Sequence, residues 1–267
     1  MLPHEAEVTT EIATKYRGQL GAMTALHDAV VSMFTIDSWK IGKPGLDRVV
    51  VETMLGLLTK ACKTFRSVQI LCERGFHADA HALVRVLMET TVAVLFILQK
   101  KSRERARIYH AHGMAQEVKM LNEWTSTRGL KRQVNKKMIK QATDALADSM
   151  KNLPAGTDVK HHWSGKRNLL EAMRELRGDV LYATLYRFTS SISHASDFGA
   201  HLEIDSASAD PVWQIEPIAK GFEAPSYAAR QLLWHLANRI DARLGLGFSA
   251  TLAPHKLSRA DVQQGQK

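Results

Sequence analysis

The stretch from Ala78 to Gln99 constrains the fold more than any other part of the chain. Its apolar residues, Leu83, Val84, Val86, Leu87, Val92 and Val94 among them, run nearly all round a helix. A helix without a polar face has to be covered on every side by other elements. The most apolar run, Val84–Leu98, is short for a membrane span and contains Arg85 and Glu89, so the expectation is a buried central helix and no membrane.

The flanking segments supply the cover. Three-and-four spacing predicts amphipathic helices over Thr10–Phe34 (Ile12, Tyr16, Leu20, Met23, Val30, Phe34) and Leu46–Cys72 (Val50, Leu57, Ala61, Phe65, Val68). Further helices are expected from Arg103 to about Trp124, over Lys137–Met150, Asn168–Leu176 and Leu181–Ser196, and from Ser226 as N-cap to about Leu244. Residues 201–224, with two prolines and scattered apolar positions, read as an ordered loop with at most a brief strand. The fold class is all-α: a helical bundle with long central helices and an ordered loop before the last helix. A single domain is expected over 1–250, with a flexible tail over 251–267.

Apolar residues at 45% and charged residues at 24% are ordinary for a globular protein. Met1–Thr10 is polar and acidic, unlike a secretory leader, and the two cysteines, Cys62 and Cys72, sit in apolar helical surroundings. They are expected to be reduced core thiols in a cytoplasmic protein. Charge is far from evenly spread. Residues 100–140 hold 12 Lys and Arg against three acidic residues, and the rest of the chain balances at 24 of each. The net charge of +9 therefore belongs to one segment, which is either a phosphate-binding surface or a solvated helix face.

Read as a helix, Leu181–Ser196 (LYATLYRFTSSISHAS) places Arg187 and His194 seven residues apart, within about 20° of each other around the axis. Ser190 lies between them on the same stripe. Leu181, Leu185, Phe188 and Ile192 flank it, so these polar residues are expected to line a cleft. Other Arg–His pairs at similar spacing are weaker. Arg103 and Arg105 with His110 and His112 lie in the basic block, expected to be exposed, and Arg74–His81 spans the Gly75 turn. Arg85 and Glu89, at i and i+4 on the apolar helix, need partners if buried. They form either an ion pair that fixes the register of the bundle or a pair that faces Arg187 and His194. His77 and His81 have the i, i+4 spacing of a metal-binding helix, but without any Glu-x-x-His element they are expected to be exposed helix-start histidines. His161-His162-Trp163 is expected to be a packed Trp with incidental histidines. There is no Gly-rich phosphate loop, GxSxG or zinc-finger spacing, so no metal or cofactor is expected.

Three stretches in this order and spacing, GFHADAHALVRVLMETTVAVLFI (Gly75–Ile97), HWSGK (His162–Lys166) and YRFTSSISHAS (Tyr186–Ser196), resemble the bacterial domain of unknown function 5677. The resemblance covers roughly Leu46 to Leu244. Its Arg-Ser-His helix is similar to that of HEPN ribonucleases, small helical bundles with an Arg–His motif, except that a commonly polar position after the Arg is Phe188 here. The resemblance implies a HEPN-like, metal-independent ribonuclease, as a toxin or phage-defence effector, that cleaves RNA by 2′-hydroxyl attack. His194 is then the general acid or base and Arg187 the stabiliser of phosphate charge. Ser190 and Tyr186 position the phosphate or the imidazole, and Arg85 and Glu89 support the cluster. Lys119, Arg128, Lys131, Arg132, Lys136 and Lys137, within the basic segment, would hold the RNA backbone. The resemblance also implies a homodimer and, for a toxin, a neutralising protein partner. The alternative is a non-catalytic helical interaction module in which the Arg/Glu/His network is structural.

Overall fold

In the computed structural model the apolar stretch is helix α4, His77–Gln99. Val84, Leu87, Met88 and Val92 are at most 2% exposed. By length and a mean hydropathy of 1.8 this helix could cross a membrane, but 67% of that stretch is buried within the protein, as befits a core helix. The structure describes residues 3–35, 47–130, 132, 135–193, 202–204, 211–213 and 216–257.

The other elements confirm an all-α fold. They are α1 (Pro3–Lys15), α2 (Arg17–Ser32), α3 (Arg48–Glu73), α5 (Ser102–Ser126), α6 (Lys136–Met150), α7 (Leu169–Glu175), a single turn α8 (Asp179–Leu181), α9 (Arg187–Ser193), α10 (Glu223–Leu244) and a short α11 (Ser249–Leu252). A π-helical turn, Tyr182–Tyr186, joins α8 to α9. The loop before α10 contains two brief strands where at most one was expected. β1 (Leu202–Ile204) pairs antiparallel with β2 (Pro211–Trp213), Leu202 opposite Trp213.

The chain forms two compact units. The first comprises residues 1–40, 55–94 and 180–267; the second comprises 41–54 and 95–179. In the first unit α2 packs on α1, α10 and α11. It is tied to α3 by a hydrogen bond from Gln69 Nε2 to Thr24 Oγ1 (2.9 Å). Thr91 on α4 donates to Leu87 O and to Leu232 O of α10. In the second unit α5 and α6 form a hairpin, closed by Ile108, Ala111, Ala115 and Val159 with Leu146, Met150 and Leu153 against them.

Several boundaries depart from the helical periodicity. The single helix expected over Thr10–Phe34 breaks at Tyr16 (φ −110°, ψ 22°), where the buried ring stacks on Phe222 at 4.4 Å. Helix α10 starts three residues before the expected cap, so Ser226 is buried inside its first turn and donates to Glu223 O. It ends at Gly245 in the left-handed region (φ 64°), as a helix C-terminus favours. Beyond it Asp241 Oδ1 accepts from the Phe248 amide, and Leu252 and Leu257 are buried. The packed structure thus continues into the segment expected to be a flexible tail; residues 258–267 lie outside the described residues.

The turn between α3 and α4 depends on Gly75, which has φ +82°, donates to Cys72 O and accepts from the Ile218 amide. A Cβ there would sit 2.8 Å from Ile218 O and 2.9 Å from a Val8 methyl. Gly75→Ala is therefore expected to destabilise the protein by more than about 2 kcal/mol, left-handed strain and the backbone clash together. Denaturant unfolding measures this, and an unchanged midpoint would show that the turn is not held as described.

Candidate functional site

Arg85 belongs to a largely apolar helix, and the first unit satisfies it. Its Nε donates to Glu89 Oε1 (3.2 Å) one turn along. Its Nη2 donates to the Tyr186 hydroxyl (3.1 Å), with the guanidinium 4.9 Å from the centre of that ring. The Arg85 side chain is only 18% exposed, and that of Glu89 39%. Tyr186 in turn stacks on Tyr182 at 4.8 Å. The end of the π-turn is thus fastened to the core helix through a cation and two aromatic rings.

That contact sets the phase of α9. Thr189 is fully buried and returns its hydroxyl to Leu185 O. Tyr186 and Ser190 are half-buried, and Arg187 is exposed. Among the described residues Arg187 makes no ion pair. Phe188, expected as an apolar wall of the cleft, is instead 54% exposed, with its ring edge-on to His81 at 5.0 Å. Arg85 of α4 bonds Tyr186, and Arg187 makes no described contact with it. His194 lies outside the described residues. A π-turn widens the helix by one residue per turn just before Arg187, which shifts Leu181 and Leu185 relative to the residues that follow; the spacing alone does not show it.

His77 and His81 are buried, 6% and 9% exposed, and not the solvent-facing pair expected. His77 lies edge-on to Phe222. Among the described residues neither His77 nitrogen nor His81 Nδ1 makes a well-formed hydrogen bond, though the nearby Ile218 and Ala219 backbone offsets part of the cost for His77. Burial, reinforced by His77, pushes His81 down to about 4. Among the described residues no group of three His, Cys, Asp or Glu stands close enough to hold a metal ion. Cys62 and Cys72 are buried free thiols, pushed up to about 12 chiefly by burial.

The alternative Arg–His group is given over to packing in the second unit. Arg105, expected on an exposed face, is 7% exposed and lies over the Phe96 ring at 3.8 Å. It donates to Phe96 O and to the Glu175 carboxylate. His110 is bonded to Thr53 Oγ1 (2.8 Å) and His112 to Val159 O (2.9 Å). Trp163 packs against Phe96, Tyr109 and His162. Burial and the neighbouring His112 push His162 down to about 4, and the Ser164 amide and hydroxyl face its Nδ1. Glu175, missed by sequence reasoning, gathers Lys100 (2.9 Å), Lys166 (3.3 Å) and Arg105. Burial alone would raise its carboxyl, but hydrogen bonds from Lys100, Arg105 and Lys166 outweigh that and hold it at about 2.

The residues expected to hold RNA are on the α5–α6 hairpin. Lys119, Arg128, Arg132, Lys136 and Lys137 are all exposed, and Lys119 reaches Glu123 at 3.9 Å. Arg128 and Arg132 line an open cavity of about 670 Å³ with Thr125, Ser126, Thr127 and Gly129. Lys131 lies outside the described residues.

These charges make stability pH-dependent. The folded protein keeps His81 and His162 neutral down to about 4, whereas the unfolded chain protonates them near 6.5. Their contribution is complete above pH 6.5 and is lost as pH falls towards 4. Glu175, near 4.5 unfolded and about 2 folded, extends the loss from 4.5 down to 2. Melting temperature is expected to fall from pH 6.5 downward, with a shallower slope between 6.5 and 4 in His81→Leu. Equal slopes would contradict the buried neutral state of His81.

No curated protein and no solved structure matches the chain. A family model does match, over residues 51–209, which contain the core helix, the Trp163 loop and the Tyr186–Arg187 helix. The chain belongs to the family of unknown function DUF5677.

Proposed function

We propose that this chain is a HEPN-like, metal-independent ribonuclease that acts on RNA as a toxin or phage-defence effector. The observation that carries the reading is the state of Arg187. The residue before it, Tyr186, is bound to Arg85 of the core helix, while Arg187 is exposed and makes no ion pair among the described residues. A cation whose backbone is fixed and whose charge is unspent is suited to meet charge that develops on a phosphate. His194 is seven residues further on. In the proposed reaction the ribose 2′-oxygen attacks phosphorus, its proton passes to a base, and the P–O5′ bond breaks. The leaving 5′-oxygen takes up a proton, and the products are a 2′,3′-cyclic phosphate and a 5′-hydroxyl. His194 serves as the acid or base, Ser190 and Tyr186 position phosphate or imidazole, and Arg85 and Glu89 hold Tyr186. The exposed cations of the α5–α6 hairpin supply sequence-independent RNA affinity, and a homodimer and a neutralising protein belong to the same reading.

A second reading is favoured by one observation: Arg85 and Glu89 already satisfy each other, as a structural pair in a non-catalytic interaction module would. Incubation of the purified protein with single-stranded RNA in EDTA separates the two. The ribonuclease reading expects cleavage of RNA but not DNA, since only RNA carries the attacking hydroxyl. His194→Ala and Arg187→Ala are each expected to lower the rate by about 10² or more without lowering the melting temperature. Intact RNA at high protein excess overturns it in favour of the module, and cleavage indifferent to His194→Ala overturns the proposed chemistry.

A further inference from the structure

The second unit has a basic trough remote in sequence from the hairpin residues assigned to RNA. Two cavities, of about 410 Å³ and 580 Å³, share Lys101, Glu104 and Pro154 in their walls. The first is also lined by Lys100, Arg105 and Lys166, the second by Arg103, Arg107 and Lys151. Against these seven cations stand Glu104, Asp158 and Glu175 in the walls. Asp47 and Asp148 pair from outside with Arg103 and Lys151, both at 2.6 Å. Five carboxylates thus leave a surplus of two positive charges. Among the described residues Arg107, half-buried, makes no ion pair, and the Ser102 hydroxyl, shielded from solvent, has no hydrogen-bond partner. Lys101, common to both cavities, holds φ at 48°, a left-handed conformation that a lysine adopts only at a cost and that concentrates at functional sites.

We infer that the end of the trough lined by Lys101, Ser102 and Arg107 binds a phosphate monoester dianion. That end holds Lys101, Arg103, Arg107 and Lys151 against Glu104, Asp47 and Asp148, a surplus of one positive charge, and Arg107, outside those ion pairs, offers a planar fork for two of the ligand's oxygens. Such a group can come from a free nucleotide or from the 5′ end of an RNA. In the second case the inference deepens the ribonuclease reading; in the first it is independent of it.

Calorimetric titration at low ionic strength with inorganic phosphate, AMP, and a 2′-O-methyl oligonucleotide with or without a 5′-phosphate tests it. The 2′-O-methyl strands cannot be cleaved by 2′-hydroxyl attack, so the outcome does not depend on catalysis. Arg107→Ala, which breaks no ion pair, is expected to weaken phosphate or AMP binding about tenfold or more, and Arg107→Lys to recover part of it. Lys101→Gly suits the left-handed backbone and removes the ammonium, so it should fold at least as stably and bind more weakly. Preference of the 5′-phosphorylated strand over its 5′-hydroxyl twin, lost in Arg107→Ala, identifies RNA ends as the source; AMP binding without that preference identifies free nucleotides. Absence of binding at about 10 mM phosphate and with every probe, or affinities unchanged in both variants, overturns the inference.

Discussion

A guanidinium in the middle of an apolar helix has to be satisfied before that helix can be buried, and the first unit is arranged around how this is done for Arg85. Left unpaired in a core, a charge destabilises by several kcal/mol. Here Glu89 supplies the compensating carboxylate and Tyr186 a hydroxyl and a ring face. The tyrosine lies on a different chain segment, so satisfying Arg85 also docks the π-turn and α9. Arg187 follows Tyr186 directly and is left facing solvent. The energetic requirement of the core and the presentation of an exposed cation are thus two consequences of one contact.

The second unit treats charge differently. Its buried guanidinium, Arg105, is consumed by Phe96 O and by Glu175, a carboxylate shared with Lys100 and Lys166. That sharing keeps Glu175 ionised at all but the most acid pH and joins α5, α7 and the end of α4. The cations left over, on the first turns of α5 and along the hairpin, are the ones available to a phosphate. A local excess of twelve basic residues over three acidic ones therefore resolves into structural charges and unspent ones.

The fold was legible in the sequence because burial imposes periodicity. The apolar circumference of α4, the spacing of Leu57, Ala61, Phe65 and Val68 in α3, and Gly75 between them were enough to give the helices and their order. The pairing of Arg85 with Glu89 followed from spacing alone. What stayed hidden depends on contacts between distant segments or on local departures from 3.6 residues per turn. The Tyr16 break, tied to Phe222, is of the first kind. The π-turn at Tyr182–Tyr186 is of the second. Burial of His77 and His81 was illegible because a histidine at a helix start is ordinarily solvated, and the rings of Phe222 and Phe188 that lie against them come from more than a hundred residues away.

The central claim is that Arg85 and Tyr186 are energetically coupled across two segments of the chain. A double-mutant cycle on unfolding free energy, with Arg85→Ala, Tyr186→Phe and the double variant, measures this directly. The account predicts that Tyr186→Phe costs markedly less once Arg85 is gone, a coupling of about 1 kcal/mol or more. Costs that simply add, within about 0.3 kcal/mol, would mean that the tyrosine does not dock through that guanidinium.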